Sequence, residues 1–225
     1  APDAVVVATG ARRSMPPIPG SEGDHVFSGD DLRQLILGES SAALQRKTGV
    51  LSRLAGKAAA LTGANRNPGF IREATRTWMP LGTRIVIVGG ELVGLELAEF
   101  LAERGRTVTV VDDAPKFGAG LQIVRRWRVL DALARHHVKL VPGASEIAIQ
   151  PEFVGVRDAN GVLQRFPADH VIVAKGAAGD TGLAGELRAA GFSVHAIGDC
   201  TGIGYIEGAI RSAAEAAARI AAAAA

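Results

Sequence analysis

The most constraining feature of the chain is the apolar run Ile85-Val86-Ile87-Val88, which meets Gly89-Gly90-Glu91-Leu92-Val93-Gly94 with no polar residue between them. A short β-branched run that stops at glycine predicts a strand buried on both faces. Leu95 to Arg104 follows with helical periodicity and ends at Gly105. Val108-Thr109-Val110-Val111 with Asp112-Asp113 reads as the next strand. Strand, glycine turn, helix and strand in that order make one parallel unit. Gln122 to His137 predicts a second helix and Val138 to Val141 a third parallel strand. Then the period changes. Phe153 to Arg157 and Val162 to Phe166 flank Asp158-Ala159-Asn160-Gly161, which signals a hairpin. Val171 to Ala174 is another buried strand, ending in Lys175-Gly176. The expected class is α/β, a Rossmann-like parallel sheet with helices and a small antiparallel hairpin layer.

The glycine turn points to chemistry. A phosphate binder at a strand–helix junction needs a residue that permits the turn, a second that lets backbone approach a pyrophosphate, and a third that lets helix pack on strand. Gly89 and Gly94 fit the first and third. Gly90 falls in the variable slot, and Glu91 occupies the second glycine position. A carboxylate about 5 Å from a phosphate, at an effective dielectric near 20, costs about 3 kcal/mol, or two orders of magnitude in affinity. Against this, a carboxylate at a helix N-terminus is worth ~0.3–1 kcal/mol. Asp112 closes the second strand, where a carboxylate accepts from a ribose 2′-hydroxyl and repels a 2′-phosphate, so NADH is expected over NADPH.

The flanking segments repeat the pattern. Ala4 to Ala8 is a strand ending at Thr9-Gly10, and Val194 to Ile197 is a strand running into Gly198-Asp199-Cys200. Tyr205 opens an Ala-rich helix, and Ser28-Gly29-Asp30-Asp31 offers a helix start for Leu32 to Leu37. Residues 38–80 are patterned weakly; they read as a crossover with one or two helices, and Gly63 to Gly69 as a loop.

Composition narrows the function. Lys and Arg number 25 against 23 Asp and Glu, an excess too small to argue for nucleic acid or a membrane. The basic cluster Arg125, Arg126 and Arg128 reads as a solvated helix face. The single cysteine excludes an internal disulfide, a CxxC pair and a cysteine-bound cluster within the chain. No metal-ligand spacing is present, and no apolar run is long enough to span a bilayer. No signal peptide is visible, so a cytoplasmic location is expected. The chain opens Ala-Pro-Asp with no leader or initiator Met, as a piece of something longer would.

Ala8-Thr9-Gly10, the Gly89 fingerprint through Phe100, and Ile197-Gly198-Asp199-Cys200 are together similar to flavoproteins with two dinucleotide-binding domains. Trp78-Met79-Pro80-Leu81-Gly82 and Gly204-Tyr205-Ile206-Glu207-Gly208-Ala209 narrow the likeness. With them the chain resembles the C-terminal region of the 2,4-dienoyl-CoA reductase and trimethylamine dehydrogenase group of NADH:flavin oxidoreductases. The resemblance implies a split FAD domain, residues 1–35 and 180–225, a linker over 36–81, and an NAD(P)H domain, 82–179, inserted in it. It implies FAD and NAD(P)H as cofactors. FMN and an iron–sulfur cluster would belong to a flavin barrel that precedes the chain and would be its partner. The implied cofactor-binding residues are Thr9, Gly10, Gly89, Gly90, Glu91, Leu92, Val93, Gly94, Asp112, Asp113, Gly176, Gly198, Asp199 and Cys200. Thr9 and Gly10 would lie near the flavin nucleotide. Asp199 would receive the ribityl or phosphate end of FAD, and the Cys200 amide would face its pyrophosphate.

Three departures limit the transfer. No first FAD unit with its own glycine fingerprint precedes Ala1, so the chain alone is expected to bind FAD poorly and to be inactive. Glu91 stands for a glycine. Lys175 stands where a second Ala-Thr-Gly-like turn would have Thr. Lys175 is expected either to pair with Glu91 over the pyrophosphate seat or to lie free in solvent. Three functions follow: a module that passes hydride from NADH to FAD within a larger enzyme, with no catalytic side chain of its own; a degenerate domain with a structural or ADP-binding role; and a disulfide reductase, against which the missing CxxC argues.

Overall fold

A computed structural model describes residues 2–13, 15–29, 31, 32, 34, 47, 68–77, 79 and 81–224. The chain divides into two compact units, Met15–Lys175 and, on either side of it in sequence, Ala1–Ser14 with Gly176–Ala225.

The larger unit is built on the run that the sequence marks most strongly. Arg84–Val88 (β4) is central in a five-stranded parallel sheet of order β3-β10-β4-β5-β6. Its companions are Val26–Ser28 (β3), Thr107–Val111 (β5), Lys139–Val141 (β6) and His170–Val173 (β10). Both faces of β4 are covered. Ile85 and Ile87 join one apolar cluster with Leu95, Ala98 and Leu101 of helix α2 (Leu92–Ala102) and Val129 and Leu133 of α3 (Ile123–Arg135). Val86 and Val88 join a second cluster with Val154, Val156 and Phe166. These last belong to an antiparallel sheet of Ser145–Ile149 (β7), Phe153–Arg157 (β8) and Leu163–Pro167 (β9). Alternate residues of one strand thus face two cores, which is why the strand is apolar throughout.

The α/β class and the hairpin are as expected, and the hairpin gains a third strand. Its edge, β7, has a register shift between Ser145 and Ala148 that breaks the alternation a strand needs to be legible. The segment Gly63 to Gly69 contains a second departure. Pro68 and Gly69 open helix α1 (Pro68–Thr77) rather than end a loop, proline being well suited to a first helical turn. The expected helix at Leu32 starts as read: Ser28 Oγ accepts from the Asp31 amide (3.1 Å) and Asp31 Oδ2 from the Ser28 amide (2.8 Å). Its continuation to Leu37 and most of the 38–67 crossover lie outside the described residues, as do Trp78 and Pro80.

The smaller unit pairs Val5–Val7 (β1) in parallel with Val194–Ala196 (β12), and Ala11–Arg13 (β2) antiparallel with Ala177–Gly179 (β11). Helices α4 (Gly182–Ala189) and α5 (Tyr205–Ala224) complete it. Two boundaries differ from the sequence reading. Residues 15–29 belong with the larger unit, because β3 pairs with β10. Residues 176–179 belong with the smaller, because β11 pairs with β2. No helix among the described residues is long and apolar enough to cross a membrane.

Candidate nucleotide site

The glycine turn lies at the carboxyl ends of the parallel strands, where ligands bind in sheets of this kind. Each of its glycines is held by a neighbour. Gly89 has φ +128°, and a Cβ there would stand 2.8 Å from the Ala174 carbonyl oxygen and 2.9 Å from Lys175 Cγ. A Cβ on Gly94 would overlap the Gly89 carbonyl oxygen. A Cβ on Gly90 would overlap the ring of Phe117, which is buried, and reach Asp112 Cβ at 3.0 Å. The sequence reading placed Gly90 in a variable slot; the tertiary structure removes that freedom.

Helix α2 starts at this turn. Glu91 is its N-cap residue in extended conformation and makes no side-chain cap hydrogen bond. Its carboxylate instead accepts from the Gly120 amide at 3.4 Å, on the loop that follows β5. The same loop is anchored by the Gly118 amide, which donates to the Gly90 carbonyl at 2.8 Å. The first amides of α2 are therefore not capped by Glu91, which fits the turn to an anionic ligand. The half-buried Leu92 and the exposed Val93 lie in this first turn.

Asp112 is 2 % exposed. Its Oδ2 accepts from the Gly90 amide, and its Oδ1 accepts from the Ala114 amide (2.8 Å) and from Lys175 Nζ (3.1 Å). Three donors inside the fold meet its two oxygens, and through the Gly90 amide it braces the turn. Asp113 is different: its side chain is 72 % exposed, and Lys175 Nζ pairs with it as well. The Lys175 ammonium holds the Asp113 carboxyl below the ordinary range. Burial works against the Lys175 ammonium, but Asp113 and Asp112 outweigh it and raise its pKa above the usual value.

Both expectations for Lys175 are thus corrected. Among the described residues it pairs with Asp112 and Asp113, not with Glu91, and its side chain is only 28 % exposed. The physical reason is reach. β10 lies beside β4, and β5 on the other side of β4, so a lysine stem crossing Gly89 ends at the β5 carboxylates.

The remaining predicted residues lie in the smaller unit. Thr9 is exposed and Gly10 (φ +76°) sits in the turn between β1 and β2. Gly176 (φ +91°) precedes β11. Gly198, Asp199 and Cys200 form one 3-10 turn after β12. The Gly198 amide donates to Ser212 Oγ of α5 (2.9 Å), and Asp199 Oδ1 accepts from the Gly204 amide (2.9 Å) just before that helix. Cys200 is buried, with its thiol toward the Ile197 carbonyl at 3.0 Å. Phe117 is the member of the larger site that the sequence does not mark; Lys175 is expected there, but with another partner. A lysine in place of a turn residue was the one visible signal; nothing local marks Phe117.

A family model described as "Pyridine nucleotide-disulphide oxidoreductase" matches residues 1–219. A bilirubin reductase of Mediterraneibacter gnavus is 29 % identical over 199 residues, which are 88 % of this chain and 24 % of that protein. A nitric oxide reductase FlRd-NAD(+) reductase of Klebsiella pneumoniae is 26 % identical over 216 residues, 89 % of this chain and 47 % of that protein. A solved 2-naphthoyl-CoA reductase superposes with a TM-score of 0.64 at 25 % identity, over 94 % of this chain and 26 % of that one. The chain thus spans about a quarter to about half the length of these relatives.

Proposed function

The chain belongs to the pyridine nucleotide-disulphide oxidoreductase family, whose domains bind FAD and NAD(P)H, and from that premise we propose that it is the nucleotide-handling region of a flavin-dependent oxidoreductase. The larger unit takes NADH and the smaller unit contributes part of the FAD site. A flavin barrel elsewhere in a longer protein, of the 2,4-dienoyl-CoA reductase and trimethylamine dehydrogenase kind, would choose the substrate. The observation that carries this reading is the uncapped α2 N-terminus behind the Gly89–Gly94 turn, at the carboxyl end of a five-stranded parallel sheet.

The bound nicotinamide and flavin would supply the hydride chemistry; this chain's residues bind and orient. Gly89 and Gly94 shape the turn, Asp112 braces it through the Gly90 amide, and the amides of Leu92 to Gly94 would hold the phosphates. Asp113, exposed at the end of β5, is the carboxylate available to a ribose 2′-hydroxyl and sets a preference for NADH. In the smaller unit Thr9, Gly10, Gly176 and the Gly198–Cys200 turn before α5 are the FAD-binding candidates. With one cysteine in 225 residues, the chain itself holds no dithiol pair for disulfide chemistry.

A second reading is a degenerate domain with a structural role. Glu91 favours it, because a carboxylate stands at the position where backbone would approach the pyrophosphate. Calorimetric titration of the 225-residue chain with NADH, NADPH and FAD tests both. NADH binding in the micromolar range and weaker NADPH binding support the first reading. No binding, restored by Glu91→Gly, supports the second.

A further inference from the structure

We infer that Lys175 is a diphosphate-binding residue of the nucleotide site, stored between Asp112 and Asp113 and transferred to the dinucleotide when it binds. The inference rests on the reading of the larger unit as an NADH site.

The argument starts from the path of the side chain. The Ala174 amide donates to the Val88 carbonyl at 2.8 Å, so strand pairing continues to the residue before Lys175. The Lys175 stem then passes over Gly89, its Cγ 2.9 Å from where a Cβ of that glycine would stand. The ammonium reaches Asp112 Oδ1 at 3.1 Å and also Asp113, both just beyond the end of β5. One side chain therefore crosses the carboxyl end of β4, from the strand on one side of it to the strand on the other. In a strand–glycine turn–helix unit, phosphate lies above that strand end.

Charge gives the crossing its meaning. Glu91, Asp112 and Asp113 set three carboxylates around one turn, and a diphosphate brings more negative charge. Among the described residues Lys175 is the cation paired with Asp112 and Asp113. Of the nearby bases, Arg126 is committed through Nε to the Phe117 carbonyl (2.7 Å), and Lys116 is exposed on the loop. Lys175 is the group placed to offset the repulsion at Glu91. The transfer also leaves its former partners provided for. Asp112 keeps the Gly90 and Ala114 amides, and Asp113 is 72 % exposed to solvent and open to a ribose hydroxyl.

The test is calorimetric titration of the full chain and two variants with NADH. Lys175→Met keeps the stem and removes the charge; it is expected to weaken NADH binding about 10- to 100-fold, the range of a lost charge-assisted hydrogen bond. Lys175→Arg is expected to stay within a few-fold of the unmodified chain. Equal or tighter binding by Lys175→Met overturns the inference and leaves the NADH reading standing. Failure of the unmodified chain to bind NADH overturns both. Should Lys175→Met not fold, carbon-13 NMR titration of the Asp113 carboxyl in the unmodified chain decides. With inorganic diphosphate bound, which brings no ribose hydroxyl, the Asp113 pKa rises as its ammonium partner leaves; an unchanged value overturns the inference.

Discussion

The protein contains two strand–glycine turn–helix junctions that look alike in sequence and differ in how they are held. In the larger unit, β4 is flanked by parallel strands on both sides, and its turn is packed from every direction: Ala174 against Gly89, Phe117 against Gly90, Gly89 against Gly94. In the smaller unit, β12 pairs with β1 in a two-stranded sheet and is only partly buried. Its turn residue Gly198 has φ +69°, yet the nearest atom to a Cβ there is Ala209 Cβ at 3.6 Å, an ordinary contact. The first junction needs glycine for space, the second only for its backbone angle. A glycine motif therefore carries two separable requirements, and only packing tells them apart.

The sharpest break of the comparison is Gly94→Ala against Gly198→Ala. The first forces a methyl into the Gly89 carbonyl and is expected to cost about 3 kcal/mol or to prevent folding, since backbone has little room to give. The second meets no clash and costs roughly 1–2 kcal/mol for a left-handed residue. Urea unfolding of the two variants checks the order, and equal losses would remove the distinction. Next comes Asp112→Ala. It deprives the buried Gly90 amide of its acceptor and is expected to cost about 2 kcal/mol, the range for a hydrogen bond to a charged group. Circular dichroism melts with and without NADH would read both the stability and the site.

A smaller effect is set by pH. The His170 ring lies against Phe27, 5.5 Å between centroids, and its Nδ1 accepts from the Gly82 amide at 2.9 Å. Burial lowers its pKa, with His25 adding to the shift and Asp169 opposing it. The folded state thus binds the proton less readily than the unfolded chain. Stability is complete above the unfolded value of about 6.5 and falls as pH drops below it toward the folded value. Unfolding at pH 7.5 and 5.5 should show that loss, and His170→Asn should flatten it. Asp169 titrates elsewhere: Arg84 holds it at about 2, so its contribution is present above the ordinary carboxylate range and lost only in strong acid. The smallest expected change is Arg125→Ala, which opens an ion pair to Glu96 with both side chains well exposed, for about 0.5 kcal/mol or less. A larger loss would mean that α3 depends on this pair for its place beside α2.

Much of this was legible along the chain. The apolar runs of β4, β5 and β10 predicted a parallel sheet because strands buried on two faces have no polar side to show. The Asp158–Gly161 turn predicted its hairpin: Asp158 Oδ1 accepts from the Asn160 and Val162 amides, local bonds that follow from local sequence. The three-residue strands β3, β2 and β11 escaped notice, being too short to show a period. Within the helix expected over Gln122 to His137, the Arg125, Arg126 and Arg128 cluster reads as a solvated face. In the structure Ile123, Val124 and Trp127 are exposed on the same helix, and Arg126 is half-buried against the loop.

The amino-acid sequence by itself determined the α/β class, the order of the main strands and the place of the glycine turn. These depend on burial patterns and backbone angles that repeat within a few residues. The tertiary structure alone decided what each turn residue does. Gly90 answers to Phe117, Asp112 turns inward to the Gly90 amide, and Lys175 crosses Gly89 to reach Asp112 and Asp113. Such partners are brought together by strand order, and no local pattern encodes which strand lies beside which.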